Sequence, residues 1–467
     1  MKHGMRGMLL ALGAGVVVQR LCQLVAFVLV GHALGAAGLG RYAEGQALGA
    51  VLAVLAGAGV RNLAARQLAG DPGAARAVVH AAVRLRLLFG GLGLAAVAGV
   101  AYATSPQPWF WVLSGALALP AAFDLKQLAD AAGRGRGEVA LETGIGVLQL
   151  GAVLAWWSHG QGDVATLAAI ALGCRSLYAL RAWATIRTLP ATRTAAPLPR
   201  RPLLLLGQTA HEVLALGDVW LVSLLLGEAA AGFYAFAQRF AGAALVPSTQ
   251  LARLLLPHLL HATMNGDPAR TLGTALRATA LATWPMLAGG VVAADALCAF
   301  ACAGFAPAAP ILRLLLLAGS LQHLGWQCSH ALLAQHRDRA YAHGLLWPAV
   351  AHAALLLVVA CIAVPAPAGA GLAALAAVVA CAGYLLTGLR LLPRIDLGLA
   401  LLAPLGVAAA TGLAAAAGNA LVPGPFGLGV QLAAGGIAFA AGVWTVELRG
   451  RWRRLGDGLV QASGFRA

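Results

Sequence analysis

Residues 34–43 read Leu34-Gly35-Ala36-Ala37-Gly38-Leu39-Gly40-Arg41-Tyr42-Ala43. Displaced by 192 positions, the chain reads Leu226-Gly227-Glu228-Ala229-Ala230-Ala231-Gly232-Phe233-Tyr234-Ala235. Leucine, both framing glycines, tyrosine and alanine coincide, and at the same offset Gln46 falls on Gln238 and Arg61 on Arg253. Each copy joins two long apolar runs. An echo at fixed offset marks a duplicated unit, so the runs on either side of the two copies carry the fold.

Working outward, the 467 residues are 60% hydrophobic and only 10% charged, with a mean hydropathy of +0.81. Soluble domains carry roughly 25% charged residues, so this chain could not cover a water-facing surface. At roughly 20 apolar residues per membrane-crossing helix, the runs predict an all-α polytopic membrane protein of about fourteen spans. Eight are expected at 9–31, 42–62, 84–104, 109–129, 138–158, 163–184, 203–226 and 232–254. Six more follow at 277–300, 308–333, 342–364, 369–391, 397–417 and 427–447. What remains is about a dozen residues per connection, too few for a separate soluble domain. The run from Met1 to Gly31 exceeds the apolar core of a secretory signal and lacks a small-residue cleavage site, so it is read as a retained first span.

The 32 Lys and Arg against 16 Asp and Glu leave a charge of +16. In a soluble chain that excess points to nucleic acid; here its position matters more. Arg61, Arg66, Arg76, Arg84 and Arg86 cluster about the connection between spans 2 and 3, Lys126, Arg134 and Arg136 about that between spans 4 and 5, and Arg181, Arg187, Arg193, Arg200 and Arg201 about that between spans 6 and 7. The alternate connections near 104–108, 158–162, 227–232, 301–307, 365–369 and 418–426 hold no Lys or Arg. Bases that keep to alternate loops are the positive-inside pattern. It predicts both termini in the cytoplasm and removes the case for a nucleic-acid partner. No Gly-Lys-Ser/Thr occurs, which excludes a Walker A loop. The seven cysteines lie in or near apolar stretches without disulfide spacing, and Cys298 and Cys302 read as small hydrophobes in a packed helix.

The proline-rich segment 191–202 follows six spans and divides the chain. An N-terminal lobe is expected over 1–190, a cytoplasmic linker over 191–202 and a C-terminal lobe over 203–391, with two further spans and a basic tail over 392–467. Both copies of the motif join an odd span to an even one, so the lobes are parallel repeats. Repeats related by an axis along the membrane normal suit alternating access by rocking about a central site.

The Leu34-Gly35 … Gly40-Arg41-Tyr42 stretch and the turn Gly57-Ala58-Gly59-Val60-Arg61-Asn62 resemble the first-half pattern of the Wzx-type polysaccharide and O-antigen flippases. These belong to the multidrug/oligosaccharidyl-lipid/polysaccharide exporter superfamily. Asp218 … Leu226-Gly227 … Gly232-Phe233-Tyr234 … Gln238-Arg239 is similar to the second-half pattern, and Pro365 … Gly369-Ala370-Gly371-Leu372-Ala373-Ala374 to the start of span 12. The resemblance covers most of spans 1–12. It implies two six-helix lobes around a cavity and, as cargo, an undecaprenyl-pyrophosphate-linked oligosaccharide passed to the outer leaflet of a bacterial inner membrane. It further implies membrane lipids, a coupling cation (H+ or Na+), a polysaccharide polymerase and glycosyltransferases as partners, with no cofactor. Lipid II flippases of the same superfamily also have fourteen spans, and its small-molecule antiporters typically twelve.

Five arginines fall outside the inner loops and ends: Arg20, Arg41, Arg175, Arg239 and Arg313. A charge at the bilayer centre costs ~2.5–3.5 kcal/mol on insertion scales, so it faces water or a partner. The planar guanidinium can grip phosphate through two parallel hydrogen bonds. Arg20, Arg239 and Arg313 are therefore candidates for the diphosphate, or else structural arginines paired with carboxylates; Arg175 reads as a residue that snorkels. Span 7 is the most polar helix, and its His211, Glu212 and Asp218 are candidates for gating or ion coupling. Glu212 occupies the repeat position of Arg20, so the two are expected either to pair across the cavity or to remain apart, with Glu212 paired inside its own lobe, for instance to Arg239. Glu44, Gln46 and Gln238 are candidates for sugar contact, and His323 and His330 could line the same cavity or merely pack.

Metal and catalytic readings fail. His258-Leu-Leu-His261 lacks a metalloprotease glutamate, and no Cys/His cluster has zinc spacing. A membrane-embedded glycan polymerase, the alternative from another class, would need an outer loop bearing acid and base groups, and every predicted outer loop is short.

Overall fold

In the computed structural model the described residues are 2–57, 75–124, 135–160, 163–187, 202–251, 268–335, 337–392, 397–422, 425–443 and 445–446. The linker segment 191–201, the Ala58–Asn62 part of the turn motif, Arg253, and the basic tail from 447 onward lie outside them. So do many of the loop arginines. The molecule is an all-α polytopic membrane protein. Among the described residues nine helices are long and apolar enough to cross a membrane, and 108–121, 215–226 and 427–443 are shorter apolar segments.

Within the described residues, each of the fourteen runs forms helix. α1 (Lys2–Gly57) holds spans 1 and 2. Then come α2 (Ala75–Thr104), α3 (Pro108–Ala116), the short α4 (Ala118–Ala121), α5 (Gly135–Ser158) and α6 (Val164–Arg187). α7 (Pro202–Leu226), α8 (Glu228–Ala244), α9 (Pro268–Ala301) and α10 (Ala309–Ala334) follow. α11 (Asp338–Ala360), α12 (Ala366–Arg390), α13 (Leu397–Leu421) and α14 (Pro425–Val443) complete the chain. Proline opens α3, α7, α9 and α14, where its missing N–H costs nothing. Span 4 is broken between α3 and α4 at Leu117. Spans 3 and 9 run longer than their apolar cores, from Ala75 and Pro268.

The repeat motif is where both helical hairpins turn. Gly35 has φ 66° and its repeat equivalent Gly227 has φ 90°, a left-handed conformation that only glycine adopts at little cost. The first glycine of each copy therefore breaks the helix between an odd span and the next.

The chain separates into two compact units, residues 1–236 with 356–370, and residues 237–355 with 371–467. In the first, α1 packs against α5 and α7, and a buried cluster of Val79, Val83, Tyr178, Ala182 and Ile186 joins α2 to α6. Arg86, one of the loop-side bases, donates to the Ala122 and Asp124 carbonyls at 3.3 and 3.4 Å, satisfying acceptors where span 4 ends. In the second unit, α13 lies on α9 and α14 on α13. Small residues set these contacts: Gly412 faces Ala288, Gly289 and Gly435 face Thr411, and Gly418 faces the Gln431 backbone. Small faces of this kind let membrane helices approach closely. Large apolar residues such as Leu180, Leu402, Leu413 and Ile437 point outward, as a lipid-facing surface requires.

Candidate functional site

The second glycine of each repeat does a different job from the first. A methyl group on Gly40 would overlap the Glu228 carbonyl, and one on Gly232 would overlap the Ala36 carbonyl. Glu228 is the repeat equivalent of Ala36, so the contact is reciprocal: position 40 of one copy meets position 36 of the other, and the reverse. Reciprocity of this kind defines an isologous contact about a two-fold axis, here a local one between duplicated hairpins of one chain.

Polar side chains surround this backbone clasp. Arg41 Nε lies 3.0 Å from Glu228 Oε1, and Arg41 Nη1 donates to Gln107 Oε1 at 3.4 Å. One turn further along α1, Glu44 is 9% exposed, and its Oε2 accepts a hydrogen bond from Ser223 Oγ at 2.7 Å. On α7, buried Asp218 accepts the Tyr234 hydroxyl through Oδ2 at 2.9 Å. Tyr234 is the tyrosine of the second copy; its equivalent in the first, Tyr42, stacks at a tilt on Phe27, with centroids 6.3 Å apart. Gly217 meets Val51, which brings the same part of α7 onto span 2.

The structure thus gathers Glu44 and Asp218, assigned separately to sugar contact and ion coupling, beside one clasp. Gln46 and Gln238 are half-buried and occupy equivalent repeat positions. His211 and Glu212 are half-buried on α7, and Arg239 is half-buried on α8. Arg313 is committed locally: its Nη2 donates to Asp295 Oδ2 and its Nε to the Val291 carbonyl at 3.1 Å.

Arg20 sits on the part of α1 that packs on α5. Its Nη1 lies 3.4 Å from Gln23 Oε1, and the charges that act on it are those of Glu142 and Arg175. Glu142 is buried at 7% exposure. Sequence reasoning passed over it, as it did Ser223 and Glu228. For Glu142 the signal was present, since an acid inside an apolar run is a functional flag by itself.

The second unit has a polar face of its own. Ser320, His323, Gln327 and His330 recur at helical spacing on α10, with Ser320, His323 and Gln327 buried. His323 Nδ1 is 2.7 Å from the Gly319 carbonyl, and Ser329 Oγ is 2.7 Å from the Tyr384 hydroxyl. Among the described residues no group of three or more His, Cys, Asp or Glu side chains is placed to hold a metal ion.

The fold is shared with solved structures of membrane transporters. Over 93% of this chain and 98% of its own, the structure of a lipid II flippase, MurJ, in an inward closed conformation superposes with a TM-score of 0.62 at 13% identity. An inward-facing multidrug resistance MATE family transporter matches 80% of this chain and 94% of its own, with a TM-score of 0.56 at 17% identity. A MATE transporter of Vibrio cholerae matches 85% and 95%, with a TM-score of 0.55 at 16% identity. No family model matches the sequence, and no curated protein matches it.

Proposed function

We propose that the protein is a flippase that passes an undecaprenyl-pyrophosphate-linked oligosaccharide from the inner to the outer leaflet of a bacterial inner membrane. Its lobes, 1–190 and 203–391, alternate access to a central site, with both termini in the cytoplasm and a proton or sodium gradient as the drive. The observation that carries this reading is the cationic character of the first lobe at mid-span, where Arg20 lies within the influence of a second guanidinium, Arg175, and of one carboxylate, Glu142. A site with surplus guanidinium suits a diphosphate; an exporter of organic cations would need the opposite sign. Arg239 adds a further guanidinium from α8, Arg313 contributes the N–H groups that Asp295 leaves it, and Gln46 and Gln238 supply neutral hydrogen bonding for sugar hydroxyls. His211, Glu212 and Asp218 are the coupling groups.

Lipid II is the second reading of the cargo, supported by overlap with nearly the full length of a lipid II flippase. The test is deletion in a strain without redundant flippases. The lipid-linked repeat unit should accumulate in the inner leaflet, inaccessible to an externally added modifying enzyme. If the unit still reaches the outer leaflet at the parental rate, the reading fails.

A further inference from the structure

Within the first unit, one indole joins the start of α2 to the end of α6. Trp183 meets His80 of α2 edge to face, with ring centroids 5.5 Å apart and planes at 81°. It meets Phe123 in the same way, at 5.9 Å and 86°, and packs on the buried cluster of Val79, Val83, Tyr178, Ala182 and Ile186. The Arg187 guanidinium lies over the same indole, 5.4 Å from its centroid. Arg76 and Arg84 stand one turn before and one turn after His80, so the three share a face of α2.

The arginines at this end divide by the side of the helix they occupy. Arg86 turns to the Ala122 and Asp124 carbonyls. Arg84 and Arg187 are exposed and Arg76 is half-buried, and among the described residues none of these three forms an ion pair or a side-chain hydrogen bond. Past Arg84 the same face of α2 carries Leu88 and Leu92, each 59% exposed, and ahead of Arg187 α6 carries exposed Leu177 and Leu180. Helical rise sets Leu92 about 12 Å beyond Arg84. A surface that is cationic at one end and apolar for the next two turns matches an amphiphile, with an anionic head among the guanidiniums and chains along the leucines. The placement of bases in alternate loops accounts for the charge alone; it does not require an indole fixed by two aromatic neighbours and capped by one of those bases.

We propose that Arg76, Arg84 and Arg187, set around Trp183 and His80, bind the phosphate headgroup of an anionic phospholipid whose acyl chains lie on Leu88, Leu92 and Leu180. A lipid-facing surface is already in contact with phospholipid, so the occupant is a component of the bilayer itself. Basic pockets between spans on the cytoplasmic side take multiply charged headgroups, and three unpaired guanidiniums suit the two phosphates of cardiolipin. Tryptophan favours the membrane–water interface, and here its fixed ring holds Arg187 at headgroup level. The inference takes from the flippase reading only its orientation, which puts this end of α2 and α6 in the cytoplasmic leaflet.

The test is native mass spectrometry of the full chain in detergent, titrated with cardiolipin, phosphatidylcholine and undecaprenyl pyrophosphate. Cardiolipin should bind at least about tenfold tighter than phosphatidylcholine, and Arg84→Gln and Arg187→Gln should each weaken it about fivefold. Arg390→Gln removes an exposed base from the end of α12, in the other unit, and should leave the parental affinity. Trp183→Leu should weaken cardiolipin about threefold at unchanged charge; if that variant does not fold, the two arginine variants decide. Parental cardiolipin affinity in both Arg84→Gln and Arg187→Gln, or an equal loss in Arg390→Gln, overturns the site. Tighter binding of undecaprenyl pyrophosphate than of cardiolipin, lost in the same two variants, overturns the phospholipid assignment. Binding in detergent depends on neither orientation nor cargo, so a failed flipping result in the deletion strain and a failed lipid site are read separately.

Discussion

Replacing Gly40 or Gly232 by alanine tests the clasp most directly, because the two positions are equivalents in one reciprocal contact. Either methyl would enter the space of a carbonyl on the other hairpin, so the backbones must separate. Overpacking of a tight contact costs about 1–3 kcal/mol. Separation also breaks weak Cα–H···O hydrogen bonds at the crossing, at about 0.5–1 kcal/mol each. Opposing this, alanine gains about 0.8–1.0 kcal/mol over glycine in helix propensity. Thermal stability alone would therefore blur the result, and the population of clasped hairpins is the better readout. The hairpins retain the Glu44–Ser223 hydrogen bond, worth between about 0.5 and 3 kcal/mol, and the half-exposed Arg41–Glu228 pair, worth about 0–1 kcal/mol. A net change of about 1–2 kcal/mol shifts the clasped-to-open ratio about 5–30-fold without abolishing the clasp. In a background lacking the seven cysteines, spin labels at positions 37 and 229 report the separation by pulsed electron resonance. Each single variant should lose short-distance population to a similar degree, and the double variant should lose less than the sum, since both act on one contact. Gly99→Ala, where nothing lies within 4 Å of the added methyl, supplies the helix-propensity control. Distance distributions in Gly40→Ala and Gly232→Ala that match the control would refute the reciprocal-contact argument.

Ser223→Ala removes the hydroxyl that Glu44 accepts, and the loss should destabilise by about 1–3 kcal/mol, seen as a lower unfolding midpoint. The added substitution Glu44→Gln should restore part of it by removing the buried charge, and a double variant less stable than Ser223→Ala would contradict that account. At the start of α6, Asp163 Oδ1 accepts the Thr166 N–H at 2.9 Å and its hydroxyl at 2.7 Å, and these bonds hold its carboxyl below the usual value of 3.8. A depressed folded-state value means that the cap stabilises above the unfolded pKa and fades as pH falls through the folded one. Asp163→Ala should therefore cost about 0.5–2 kcal/mol at neutral pH, with the gap to the parent closing below about pH 4; a gap independent of pH would show that the carboxylate is not the cap.

The fold was legible because its signal is composition repeated at helical length, and no tertiary contact is needed to read it. The motif glycines were legible as a pattern, though their two jobs were not. Gly35 and Gly227 are held by a backbone angle, Gly40 and Gly232 by a carbonyl contributed from the other copy. Sequence spacing within one copy cannot separate these, since both read as glycine near a helix end. Glu44 illustrates the limit on site reading. Its position near the outer end of span 2 suggested a rim residue open to sugars, yet its donor is Ser223, 179 positions away, on a helix that only folding brings alongside.

Arg20 carries the argument one step further. The repeat offset set it opposite Glu212, because duplication places equivalent residues at equivalent depth. Depth is half of a contact; azimuth is the other half, and that is fixed by helix packing. Gly15 and Gly146 let α1 and α5 close together, so Gln19, beside Arg20, packs on α5 of the same repeat, the helix on which Glu142 is buried. If the lobes rock as proposed, a counter-ion within Arg20's own lobe stays beside it in both access states. A pair formed across the lobes would instead be broken by the rocking itself. Charge reversal at both Arg20 and Glu212, which should recover transport lost in either single reversal if the two pair, is therefore the experiment that separates these two arrangements.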